Sequence, residues 1–86
     1  MNISVDLTLS PLQDDYEKHV INFIKHLRAS EFTIIENPLS TQIYGEYDIL
    51  MPFLTQEIKR SFAEVNISVL QMKIVKTDRS DYEPYF

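Results

Sequence analysis

The chain of 86 residues contains no cysteine, no tryptophan and a single glycine, and its basic residues number 8 against 13 acidic ones. Without cysteine there is no disulfide framework, no thiolate nucleophile and no thiolate metal site. No run of about 18 apolar residues occurs, which excludes a membrane-spanning helix. The first residues, Met1 to Asp6, lack the basic-then-apolar order of a signal peptide, so a cytoplasmic location is the expectation. The shortage of basic charge matters most. Binding a phosphate backbone needs clustered Lys and Arg, because counterion release supplies much of the affinity. Here Lys18, Lys25, Arg28, Lys59, Arg60, Lys73, Lys76 and Arg79 are scattered and the net charge is −5. Nucleic acid and anionic membrane surfaces are therefore poor partners, and a neutral or cationic small ligand suits the chain better.

What remains is an ordinary globular composition, 44% apolar and 12% aromatic, sufficient for one small domain with a modest core. Ile3, Val5, Leu7 and Leu9 alternate with Ser4, Asp6, Thr8 and Ser10, the period of a half-buried strand. Asp14 followed by Glu17 forms a capping-box pattern, and Tyr16, Val20, Phe23, Ile24 and Leu27 recur at helical spacing, which assigns Tyr16 to the core. His19 and His26, about 10 Å apart along that helix, cannot share a metal ion and belong on its solvated surface.

Phe32 to Glu36 reads as a short strand, Asn37-Pro38 as a turn, and Thr41 to Tyr47 as the returning strand. Asp48 is placed to cap a second helix carrying Leu54, Ile58 and Phe62, with Pro52 close to its first turn. Residues Ile67 to Val75 make the last strand.

The order β-α-β-β-α-β predicts an α+β, ferredoxin-like sandwich: a four-stranded antiparallel sheet with two helices on one face. Strands one and three are expected side by side and parallel at the centre. The domain covers residues 1–77. The aperiodic tail, 78–86, carries Tyr82, Tyr85 and Phe86 and is expected to dock on a neighbouring sheet or a partner subunit.

Gly45 lies inside a strand, where glycine packs nothing and marks a bulge or a close approach by a ligand or another backbone. Around it stand Tyr44, Glu46, Tyr47 and Asp48. A bulge would decide which tyrosine faces the open side of the sheet. Glu46 and Asp48 could in principle act as acid and base, but charged residues at a strand end are ordinarily just solvated. No nucleophile elbow, phosphate loop or Cys/His cluster is present, so no enzyme is expected and no cofactor is implied.

Ser10-Pro11-Leu12 with Tyr16, and the segment Asn37-Pro38-Leu39-Ser40-Thr41-Gln42-Ile43-Tyr44-Gly45-Glu46-Tyr47-Asp48, resemble the thiamin/hydroxymethylpyrimidine-binding, YkoF-like family. Family members show Tyr-Pro-Leu after strand one and an Asn-x-Met-Ser-Thr-x-Val-x-Gly-Asp-Tyr-Asp-like segment in the central hairpin. In this chain Ser10 stands for the tyrosine, Leu39 for the methionine and Glu46 for the aspartate. The resemblance implies a ferredoxin-like domain that binds thiamin or a hydroxymethylpyrimidine-like molecule without chemistry, for uptake, salvage or sensing of the vitamin. A vitamin transporter is a partner in that setting.

The ligand-binding residues so implied are Thr8, Ser10, Asn37, Ser40, Thr41, Tyr44, Gly45, Glu46 and Asp48. An aminopyrimidine offers an amino donor and ring-nitrogen acceptors, and a thiazolium cation favours acidic and aromatic surroundings. Related proteins carry two such domains in tandem, so a single domain implies a homodimer or homotetramer. The alternative is an oligomerisation or interaction module without a small ligand. With strands one and three parallel, Ser10 and Asp48 fall at one end of the sheet and Ser40 and Thr41 at the other, about 20 Å away.

Overall fold

In the computed structural model, which describes residues 1–86, β1 (Asn2–Pro11), α1 (Tyr16–Arg28), β2 (Thr33–Glu36), β3 (Thr41–Glu46), α2 (Tyr47–Ala63) and β4 (Ser68–Lys76) follow one another in the expected order. The strands form one sheet, β2-β3-β1-β4. This is the ferredoxin-like α+β sandwich. Every neighbouring pair is antiparallel, including β1 with β3, rather than parallel as the sequence reading had it. The reason is arithmetic of direction. A crossover helix returns β2 parallel to β1, and the tight β2–β3 turn then reverses the chain.

Alternation along β1 buries Ile3, Val5 and Leu7 against the helices, where they join Phe23 and Leu27 of α1, Ile43 of β3, and Leu50 and Leu54 of α2. The register is regular throughout β3: Val5 opposes Ile43, Ile3 opposes Gly45 and Asn2 opposes Glu46. No bulge interrupts it. Gly45 therefore faces the helices, and Tyr44 faces the open side of the sheet. A Cβ on Gly45 would lie 2.7 Å from Cδ1 and 2.9 Å from Cε1 of Phe32. The close approach that the glycine permits is made by the domain's own aromatic ring, which in turn packs on Phe53 with centroids 5.3 Å apart.

α2 begins at once after β3. Glu46, not Asp48, is its N-cap: the Glu46 carboxylate accepts the Asp48 backbone N–H at 2.8 Å. Pro52 lies beyond the four free N–H groups of the first turn, so the helix forgoes one internal bond, to the Asp48 carbonyl. On α1, Asp15 rather than Asp14 holds the cap position, and its side chain makes no capping hydrogen bond.

His19 is 5% exposed, not solvated. Its Nδ1 lies 3.1 Å from a Glu64 oxygen and its Nε2 3.3 Å from Asp15, so it bridges the start of α1 to the end of α2. A hydrogen bond from Gln13, with smaller help from the His19 and Lys18 charges, holds the Asp15 carboxyl below its ordinary value. His26 stays outside, turned onto the Asn22 carbonyl at 2.8 Å.

Beyond β4 the chain turns back over the open face of its own sheet. Thr77 adopts φ 143°, a conformation that β-branched residues strongly disfavour. Ser4 holds the turn: its hydroxyl donates to the Thr77 carbonyl at 2.7 Å and accepts the Arg79 N–H at 2.8 Å. Tyr85 and Phe86 remain 98% and 92% exposed.

Candidate functional site

The antiparallel pairing divides the nine sequence candidates into two groups. Thr8 and Ser10 on β1 meet Asn37, Ser40 and Thr41 at the β2–β3 turn, where Leu7 opposes Thr41. Tyr44, Gly45, Glu46 and Asp48 lie toward the other end. Thr41 and Glu46 are separated by five residues of strand, about 17 Å. One small ligand reaches the first group or the second, not both.

The first group lines a cleft of about 430 Å³, within the usual size range of small-molecule sites. Its walls come from three elements. β1 contributes Leu7 and Leu9, α1 contributes Tyr16, Val20, Phe23 and Ile24, and the turn contributes residues 37–41. Thr41 shares the helix-facing side of the sheet with Leu7 and is 6% exposed, which sets a hydroxyl among apolar walls. Asn37 has a structural duty as well. Its side-chain oxygen accepts the N–H groups of Leu39 and Ser40 at 2.9 and 3.0 Å, an Asx turn that fixes the end of the cleft. Its amide nitrogen stays uncommitted.

Thr8, Ser10 and Ser40 alternate onto the opposite side of the sheet from Leu7 and Thr41. The Thr8 hydroxyl donates to the Leu39 carbonyl at 3.3 Å, and the Ser40 hydroxyl accepts from Gln42 at 3.4 Å. These residues border the cleft and brace its turn.

Tyr16 corrects the helical-spacing reading. It is 54% exposed and lines the cleft instead of filling the core. Its position just before the first buried turn of α1, beside the Pro11 break, is the signal that could have placed it there. Val20, Ile24 and Leu9 were also read only as packing residues.

The second group has other work. Gly45 makes room for Phe32 and Glu46 caps α2, as above. Asp48 lines a shallow groove on α2 with Tyr47, Met51, Pro52, Thr55 and Gln56. Tyr44 is 8% exposed, under the C-terminal tail. Burial, then the Asp78 and Asp6 charges, raise its phenol above the ordinary value and keep it a neutral hydroxyl. No group of three or more His, Cys, Asp or Glu is arranged to hold a metal ion, and no helix is long and apolar enough to cross a membrane.

No protein-family model and no curated protein matches the sequence. Solved structures do resemble the fold. Protein SP2199 of Streptococcus pneumoniae superposes with a TM-score of 0.84 at 24% identity, over 94% of this chain and 92% of that one. TM0486 of Thermotoga maritima, assigned provisionally to thiamine biosynthesis or salvage, gives 0.81 at 16% identity, over 90% and 85%. A domain of unknown function, DUF77, from Bacillus cereus gives 0.75 at 15% identity, over 90% and 77%. At these identities the likenesses establish the fold.

Proposed function

We propose that the chain is a non-enzymatic binding protein whose cleft between β1, α1 and the β2–β3 turn takes a small heteroaromatic molecule of the hydroxymethylpyrimidine type. The observation that carries the reading is Thr41, a largely buried residue that lines the cleft with Leu7, Leu9, Phe23 and Ile24, with Tyr16 beside them. A planar ring with a few polar edges matches such a cavity: apolar walls supply the affinity and sparse hydrogen-bond groups fix the orientation. The tyrosine ring adds a flat surface for stacking. The resemblance of the Asn37–Asp48 segment to the thiamin-binding family and the fold shared with TM0486 support the same ligand class.

The cleft's lining also discriminates between the two ligands that the resemblance implies. Not one carboxylate is among the lining residues, since Glu46 and Asp48 lie toward the far end of β3. A thiazolium cation gains little there, and desolvating it is costly. Hydroxymethylpyrimidine is therefore the better fit than thiamin. Calorimetric titration of the intact chain with each compound tests this. Saturable heat with hydroxymethylpyrimidine, weaker with thiamin, is expected. Absence of heat and of thermal stabilisation with both at millimolar concentration would contradict it.

A second reading, self-association, rests on β4. That strand pairs only with β1, so its outer edge is free, and Val69, Met72, Ile74 and Val75 are all exposed along it. An apolar, unpaired edge is an invitation to another strand. The two readings are compatible in one homo-oligomeric binding protein.

A further inference from the structure

The open face of the sheet holds a second cavity that the cleft does not explain. Where the tail crosses β2 and β3 it leaves a groove of about 400 Å³, lined by Ile35, Gln42, Tyr44, Arg79, Ser80 and Tyr82. We propose that this groove is a second ligand site, for a small aromatic carboxylate.

Two uncommitted polar groups converge there. Tyr44 is only 8% exposed overall and lines the groove, and its hydroxyl, which is not itself buried, makes no hydrogen bond within the chain. Arg79 makes no ion pair, and its guanidinium lies 5.5 Å from the centre of the Tyr82 ring. A guanidinium and a phenol hydroxyl together make a donor set for a carboxylate. Tyr82 and Ile35 supply flat and apolar surface for the attached ring.

The two nearby carboxylates keep their charge but have hydrogen-bond partners of their own. Asp78 accepts the Ser80 N–H at its loop, and the Ser80 hydroxyl and N–H together hold its carboxyl below the ordinary value. Asp6 accepts from the Gln42 amide at 3.4 Å. Arg79 is the one charged residue among those lining the groove. Its backbone is fixed, because the Arg79 N–H is bonded to Ser4 across the strained turn at Thr77. The open sheet face and the tail build the site together. Gln42, with its amide turned toward Asp6, leaves its oxygen available to a polar substituent on the ring.

Benzoate is the probe, titrated at pH 7 into the intact isotope-labelled chain and followed by nuclear magnetic resonance. Saturable shifts of the Arg79 side chain and of the Tyr44 and Tyr82 rings are expected. Tyr44→Phe keeps the ring and removes only the hydroxyl, and Arg79→Gln keeps the turn. Each is expected to weaken benzoate by roughly tenfold or more, the scale of a hydrogen bond to a charged group. Neutral benzamide is expected to bind more weakly by a similar factor. Preference for benzylamine over benzoate would overturn the proposal, because Asp6 and Asp78 would then govern the groove. Benzoate shifts confined to Tyr16 and Thr41, or undiminished in both variants, would overturn it too. Failure of hydroxymethylpyrimidine to bind the cleft would leave this groove's outcome unaffected.

Discussion

Gly45 and Glu46 are neighbours with unrelated duties, and each has a substitution that exposes it. A methyl group at Gly45 must displace the Phe32 ring from 2.7 Å. Gly45→Ala is expected to destabilise the domain by about 1–3 kcal/mol in urea unfolding, the usual cost of overpacking. Phe32→Leu in the same chain should recover part of that loss. Simple additivity of the two changes would show that the ring is not the obstacle.

Glu46→Ala removes the cap of α2 and is expected to cost about 0.5–2 kcal/mol. Asp48→Ala, which loses only a favourable first-turn charge, should cost less than about 1 kcal/mol. The reverse order would restore Asp48 as the cap. Sequence reasoning placed the glycine in a strand and asked what approaches it. The answer was out of reach because Phe32 lies thirteen residues away across the β2–β3 turn. The cap was misplaced for a related reason: β3 runs into α2 with no loop, leaving no punctuation to read.

Among the elements, β2 is the shortest strand and lies at an edge, so its attachment matters. Arg28 at the end of α1 grips Glu36 with two hydrogen bonds, Nε to Oε2 at 2.6 Å and Nη2 to Oε1 at 2.7 Å. These bonds hold the Glu36 carboxyl below its ordinary value and raise that of Arg28. In the acidic window between the depressed folded value and the ordinary unfolded one, the unfolded chain binds more protons. Stability therefore rises with pH across that window and is lost as the pH falls through the folded value. Glu36→Gln is expected to flatten part of the acid limb of urea midpoint against pH, and added salt should shrink the difference because the pair is exposed. An unaltered limb would contradict the assignment.

All six elements were legible from period and punctuation: strict alternation in β1, helical spacing in α1, and the Asn37-Pro38 turn. Direction was not. The tight turn that joins β2 and β3 already dictates that β3 opposes β1, and following the chain's sense through it would have put Ser10 at the same end of the sheet as Thr41. His19 was equally hidden, because nothing local to α1 announces that Glu64 will cover it.

At the scale of the whole molecule, the two ends of the sheet have different chemistry. One end joins Thr41, Asn37 and Tyr16 in an apolar cleft, and the open face carries the tail. The free edge of β4 bears on assembly. Ile74→Lys adds a charge to an exposed apolar edge and is expected to lower the sedimenting mass of any homo-oligomer while the fold persists. An unchanged mass would move the contact elsewhere.

Residues 37–41 of the Asn37–Asp48 motif line one end of the cleft. Sequence could not separate the motif's cleft-lining half from its structural half, because strand pairing alone divides them. The most direct measurement is a map of amide and side-chain resonance shifts as hydroxymethylpyrimidine is added to the intact chain. The expected result is saturable shifts clustered at Leu9, Tyr16, Phe23, Asn37 and Thr41, reduced in Thr41→Val, with Glu46 and Asp48 unmoved. Shifts centred on Glu46 and Asp48, or none at millimolar ligand, would contradict the cleft as the binding site.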